Sequence, residues 1–250
     1  MIGTSFGNSA SSGDSFSPAD IAGLKLWLDS DAANINAGSP TNLDAVSTWI
    51  DKSTSTNDFS QGTALSQPIW KSSGFGVNSK PYLEFDGTSD FLAHTPSSEL
   101  QNTDFSLIVV ANVNGVGQSI WRRSYTGSSF DYNNENIYGS VGFQNRGGTG
   151  VFQSITYSPT NGIYIIVFRF NSVGVGTSIR NIRFNAVTQV NETNLKPMNV
   201  NGNDIFIGTT TGTSSYTTVL AAEYLYYDSY LLDSDVENLE TYLNAKYAAY

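Results

Sequence analysis

One stretch near the end of the chain limits most strongly what it can fold into: Leu220-Ala221-Ala222-Glu223-Tyr224-Leu225-Tyr226-Tyr227-Asp228, followed by Leu231 to Tyr250. The first part alternates β-favouring side chains and reads as a strand. The second part has helical periodicity, with Val236, Leu239, Leu243 and Tyr247 three or four residues apart on one face. Ser234 and Glu237 have capping-box spacing, and Asp233 and Asp235 suit the positive end of the helix dipole. Burying those four apolar side chains would contribute roughly 6–10 kcal/mol, an upper bound because an unfolded chain already hides some apolar area. The chain therefore ends by laying one amphipathic helix, expected over 233–248, against its own sheet.

Upstream of this stretch the pattern is of strands and turns. Leu24, Leu26 and Leu28 alternate around Trp27, so both faces of that strand are expected to be covered. Pro81 to Phe85 reads as a strand closed by the Asp86-Gly87 turn. Three hairpins are expected: Phe105–Val113 with 118–125 across Asn114-Gly115, 138–143 with 151–157, and Gly162–Phe170 with 179–187. Many strands, Gly-rich turns and one late helix predict an all-β fold, an antiparallel two-sheet jelly-roll sandwich with a C-terminal amphipathic helix. At 250 residues the chain suits a single large domain. The sandwich is expected over 18–250. Residues 1–17 are rich in Ser and Gly and form an arm with too little apolar area to order itself. Phe6 and Phe16 would anchor such an arm, either on a partner chain or back on its own domain.

Composition excludes several function classes. No cysteine means no disulfide and no thiolate metal site. A net charge of −10 argues against duplex nucleic acid and anionic membranes as partners. No apolar run approaches the ~20 residues of a membrane helix, so membrane insertion is not expected. Met1 to Phe6 lacks the basic start and apolar core of an export signal. Only 14% of residues are charged, so the surface takes its polarity from Ser, Thr, Asn and Gly, which suits neutral partners such as sugars.

Four ordered segments resemble one family: Gly23 to Asp29; Trp49 to Ser53 with Asn57-Asp58; Phe85-Asp86-Gly87 with Asp90-Phe91-Leu92; and Ala222 to Asp228 with Tyr242-Leu243 and Lys246-Tyr247. The set is similar to the concanavalin A-like, laminin G-type lectin and glucanase domains found in phage virion and bacterial surface proteins. The resemblance implies two curved antiparallel sheets and a role in glycan binding, adhesion or structural decoration, with catalysis only in some branches. Relatives often place glycine where this chain has Thr54 and Thr56. Because a β-branched residue disfavours positive φ, this turn is expected to differ.

Catalytic candidates are few. Glu84 and Asp86 share a strand face, but the second glutamate of the Glu-x-Asp-x-x-Glu strand used by retaining glycosidases of this fold is missing. His94 is the sole histidine and has no nucleophile motif near it. No enzyme is expected. No cofactor is required, although the oxygen-rich Asp131, Asn133, Asn134 and Glu135, or Asp86 with Asp90, are where calcium would be sought. The stretch from Trp121 to Arg146 best fits sugar, with Trp121, Tyr132, Asn133, Asn134, Asn145 and Arg146 as candidate contacts. There aromatic faces would stack on C–H surfaces while amides and guanidinium groups read hydroxyls. The expectation that follows is a non-enzymatic structural and adhesive virion protein, a phage capsid decoration or fibre component. It would assemble with other virion proteins as a homo-oligomer and bind cell-surface or exopolysaccharide glycans. The alternative is a carbohydrate-binding module or adhesin at a bacterial cell surface.

Overall fold

A computed structural model of the chain describes residues 16–95, 97–113, 119–123, 135–138, 142–147, 151–154, 162–173, 178–195, 204–209 and 211–250, with backbone alone for 113, 119, 135–138, 142–147, 151–154 and 194–195. In chain order the strands are β1 (Leu24–Asp29), β2 (Thr48–Trp49), β3 (Phe59–Ser60), β4 (Ile69–Phe75), β5 (Lys80–Asp86), β6 (Leu92–His94), β7 (Phe105–Val113) and β8 (Ser119–Arg123). They continue as β9 (Glu135–Tyr138), β10 (Gly142–Gly147), β11 (Val151–Ser154), β12 (Gly162–Asn171), β13 (Ser178–Phe184), β14 (Val187–Leu195), β15 (Ile205–Ile207) and β16 (Thr218–Tyr227). The helix α1 spans Asp233–Tyr247.

The strands form two antiparallel sheets. The first runs β14-β13-β12-β7-β16-β5-β4, with β1 also on β16, and the second runs β11-β10-β9-β8-β15-β6-β3-β2. Between them lies a core that includes Leu26, Leu28, Trp49, Phe59, Phe85, Trp121, Tyr224 and Tyr226. A second core covers the outer face of the first sheet, where Val236, Leu239, Leu243 and Tyr247 of α1 meet Ile108, Val110, Ile165, Val167 and Leu225. The expected architecture is the observed one, and the strand and helix read from residues 220–250 sit at its centre.

β16 is the hub because three strands use it. One edge pairs with β7 along its length. The other edge pairs first with β5, through Thr218 to Ala221, and then with β1, through Glu223 to Tyr227. The hand-off falls at a bulge between Ala221 and Glu223. A bulge adds a residue and re-aims the side chains beside it. Here it turns Glu223 toward α1 while Tyr224 and Tyr226 still enter the inter-sheet core.

Several local expectations are corrected. β7 and β8 are not a hairpin: β7 pairs with β12 and β16, whereas β8 lies in the other sheet beside β9 and β15. Tertiary pairing of a long apolar strand outweighs a local turn signal. The third expected pair is observed as β12 and β13, but its second strand stops at a turn through Asn185 and Ala186, both at positive φ. Leu24 joins the outer core, not the inner one, because the β1 register shifts between Leu24 and Leu26. The helix starts two residues earlier than the Ser234 capping box predicts. Its N-cap is Leu232, which makes no side-chain cap, and Asp233 is held by Arg169 at 2.7 Å.

Candidate functional site

Three of the four segments that carry the resemblance meet at one place. β1 supplies Trp27 and Asp29, the turn after β2 supplies Asp51 and Lys52, and the last segment supplies Glu223 from β16 with Lys246 and Tyr247 from α1. Glu223 is fully enclosed. Its Oε1 accepts from Trp27 Nε1 at 2.7 Å, and its Oε2 accepts from Lys246 Nζ at 2.9 Å and Tyr247 Oη at 2.8 Å. Asp29, the cross-strand neighbour of Glu223, binds Lys246 at 2.9 Å and Lys52 at 3.3 Å.

Two buried carboxylates side by side repel, and Lys246 between them offsets this. Burial, and then the charge of Asp29, push the Glu223 carboxyl above its ordinary range, against the pull of Lys246. Burial works to lower the Lys246 ammonium, but Glu223 and Asp29 outweigh it and hold the proton more tightly than usual. Burial also raises the Tyr247 hydroxyl well above its ordinary value. Every carboxylate oxygen of Glu223 is occupied from within the chain, so its chemistry is that of a clamp.

The turn after β2 is built around Asp51. Its carboxylate accepts from Trp27 N, Ser53 N and Asn57 N, each at 2.8 Å, and from Ser53 Oγ at 2.7 Å. This holds Lys52 with its ammonium 4.0 Å from the centre of the Trp27 ring. Thr56 adopts φ +59°. The β-branch does not keep Thr56 out of the left-handed region, and the hydrogen bonds to Asp51 shape the turn around it. Beside the turn lies a cleft of about 230 Å³, lined by Ile21, Gly23, Leu24, Trp27, Lys52 and Thr54 among others. It is smaller than the ~300–1,000 Å³ of drug-sized ligand sites and suits a single small group.

The sugar candidates separate. Trp121 is fully buried, stacked near Tyr224 and Tyr226 at 6.1 and 6.4 Å between ring centroids. It is a core residue, and its face is not offered to a ligand. The backbone pairs Asn145 with Gln153 and Arg146 with Phe152 across β10 and β11. Tyr132, Asn133, Asn134 and Asp131 lie outside the described residues, as does Phe6. Phe16, expected to dock onto a partner, packs edge-on against Tyr242 of α1, 6.1 Å between centroids. Tyr224, Tyr226 and Tyr227 are fully buried packing residues.

The catalytic candidates also have local partners. Leu83 and Phe85 enter the inter-sheet core, so Glu84 and Asp86 lie on the opposite face of β5. Glu84 binds Lys71 at 2.9 Å. Asp86 Oδ1 accepts from the N–H groups of Thr88, Ser89 and Asp90, which makes it the cap of the turn through Gly87 at φ +73°. His94 Nδ1 lies 2.9 Å from the Asp58 carbonyl oxygen, and its ring stacks on Phe59. Among the described residues, no group of three or more His, Cys, Asp or Glu side chains is arranged to hold a metal ion. No described helix is long and apolar enough to cross a membrane. Sequence reasoning missed the Glu223 cluster as a unit. Its signal was a lone acid inside an otherwise apolar strand.

No family model and no curated protein matches the chain. Solved structures do. The binding domain of botulinum neurotoxin serotype G superposes with a TM-score of 0.63 at 14% identity, covering 89% of this chain and 51% of that one. Botulinum neurotoxin type C, described as depending on two ganglioside molecules for cell entry, gives 0.59 at 15% identity over 91% and 53%. Trypanosoma rangeli sialidase, in complex with a difluoro-KDN ligand, gives 0.55 at 12% identity over 90% and 33%. The chain thus spans about half or less of these structures. At such identities the similarity is one of fold: an antiparallel two-sheet β-sandwich.

Proposed function

We propose that this chain is a non-enzymatic lectin-like domain that recognises glycans by contact and serves as a structural and adhesive component of a bacteriophage particle. The observation that carries the contact reading is the fate of its carboxylates. Glu223 and Asp29 are consumed by lysines and ring donors, Glu84 by Lys71, and Asp86 by turn amides. Most glycosidases need two carboxyl groups facing one bond, and among the described residues these four acids are engaged within the chain instead. The glycan reading is supported by the shared fold with a toxin whose entry depends on gangliosides.

The particle role rests on the resemblance of the ordered motifs to virion proteins. In this reading the chain assembles as a homo-oligomer with other virion proteins, and residues 1–17 form an arm. Attachment at a bacterial cell surface is the second reading, favoured by the likeness to toxin binding domains.

A glycan array spanning neutral and sialylated structures tests the binding role. Selective binding that weakens on Tyr132→Ala or Arg146→Ala supports the Trp121–Arg146 stretch as the site. Hydrolysis of any bound polysaccharide, lost on Glu84→Gln or Asp86→Asn, would overturn the non-enzymatic reading. Mass spectrometry of purified particles tests the virion role, and absence of the chain from them would remove it.

A further inference from the structure

The outer face of the second sheet carries an aromatic group that neither core absorbs. Along β15, Ile205 and Ile207 enter the inter-sheet core, and Phe206 faces the other way. Phe91 meets Phe206 edge-on with 6.2 Å between ring centroids, and Tyr216 lies 6.3 Å from Phe91 with the planes 36° apart. Phe206 is largely covered, whereas Phe91 and Tyr216 are half-buried. The cover is a loop. Gly212 lies on the Phe206 ring so closely that a Cβ there would meet ring carbons at 3.0 and 3.2 Å, and its φ of +74° also favours glycine.

That loop is made of hydroxyls. Thr211, Thr213, Ser214 and Ser215 are all exposed. Thr211 Oγ1 accepts from Ser214 N at 2.9 Å and from Thr213 N at 3.3 Å, so the loop's shape is fixed from within. The Tyr216 hydroxyl makes no hydrogen bond to the described residues. On the far side, Ser89 Oγ and Phe91 N donate to the carbonyls of Leu65 and Ser66, which brings the exposed Leu65 to the rim.

We propose that this surface is a binding platform for neutral pyranose units of a glycan. It rests on the glycan reading above and gives it a location apart from the Tyr132–Arg146 segment. Half-exposed rings beside fixed hydroxyls match a sugar, which presents C–H faces and hydroxyl edges together. Charge selects the neutral class. Asp90 immediately precedes Phe91, the chain carries −10 overall, and Arg122, the register partner of Phe206, is already engaged within the chain. A strand-adding peptide does not fit, because β15 is paired on both sides, by β6 and β8.

The test uses the full chain with hexasaccharides of glucose, xylose and N-acetylglucosamine, and with sialyllactose, read by calorimetry and by NMR shift perturbation. The expected result is binding of at least one neutral hexasaccharide, with shifts concentrated at 91 and 211–216. Tyr216→Ala should weaken it at least about tenfold, and Tyr216→Phe, which keeps the ring and the fold, about threefold or less. Binding that survives Tyr216→Ala but is lost on Tyr132→Ala would overturn the platform and leave the glycan reading standing. A preference for sialyllactose would overturn the neutral class. Silence of the wild-type chain across glycan arrays as well as this set would overturn both readings.

Discussion

The indole N–H of Trp27 donates to Glu223 Oε1 at 2.7 Å, joining residues 196 positions apart. Through this bond the first strand, the last strand and α1 share one buried acid, since Lys246 and Tyr247 hold its other oxygen. Removing the acid leaves the buried Trp27 indole without an acceptor, Tyr247 with only the Ala222 carbonyl at 3.5 Å, and Lys246 with Asp29 alone. Glu223→Ala is therefore expected to cost about 3–5 kcal/mol in urea unfolding. Glu223→Gln should cost less, about 1–2 kcal/mol, because Gln keeps an acceptor for Trp27 and burial already disfavours the charged form. Equal losses for the two variants would show that the charge, and not the acceptor, matters.

Thr56 gives a stabilising prediction. It is exposed and sits at φ +59°, and its side chain makes no hydrogen bond to the described residues. A left-handed conformation costs an L-residue roughly 1–2 kcal/mol, and glycine avoids this while adding about 0.5–1 kcal/mol of unfolded-state entropy. Thr56→Gly should thus raise stability by up to about 1 kcal/mol, read as a higher melting temperature. Asp51→Ala, which removes the acceptor for Trp27, Ser53 and Asn57, should do the opposite by about 2–4 kcal/mol. A destabilised Thr56→Gly would mean that the threonine is held by something other than the turn.

The sandwich and its helix were legible because alternation at 24–28 and 220–228, and helical spacing at 236–247, are local patterns. What stayed hidden depends on pairing across the chain. Asn114-Gly115 reads as a hairpin turn, yet β7 is drawn to β12 and β16 by nine and seven register pairs. The Ala221–Glu223 bulge has no sequence mark beyond an acid among tyrosines. Trp121 reads as a core ring or as a sugar platform, and its position between Phe59, Tyr224 and Tyr226 settles it as core. The cluster of Phe91, Phe206 and Tyr216 joins residues too far apart in sequence for any spacing rule.

Asp90 makes stability depend on pH. Burial, with the charges of Asp86 and Glu84, raises its carboxyl to about 6, against the hydrogen bonds it accepts from Asp86 N and Ser89. Its unfolded value is near 3.9. The folded state therefore binds the proton more tightly between about pH 4 and 6, and the ionised group costs stability above pH 6. Asp90→Asn should stabilise the chain by about 1 kcal/mol at pH 7.5. The gap should narrow as pH falls through 6 and close below about 4, where Asp90 is protonated in the folded and the unfolded chain. A gap independent of pH, or an NMR titration of Asp90 near 4, would contradict this.

Helix α1 covers the first sheet at the same time as it completes the Glu223 clamp. Leu239 is fully buried among the outer core, whereas Leu232, at its N-cap, is 69% exposed. Leu239→Ala opens a cavity that rigid strands cannot collapse, so it should cost about 2–5 kcal/mol, while Leu232→Ala should stay within about 0.5 kcal/mol. Loosening the helix also uncovers Ile108, Val110, Ile165, Val167 and Leu225, a continuous apolar face. Dye binding to exposed apolar surface should therefore rise for Leu239→Ala at denaturant concentrations where the wild type remains folded. If the variant instead unfolds in one step with no such intermediate, helix and sheet form a single cooperative unit, and the clamp through Lys246 and Tyr247 is what couples them.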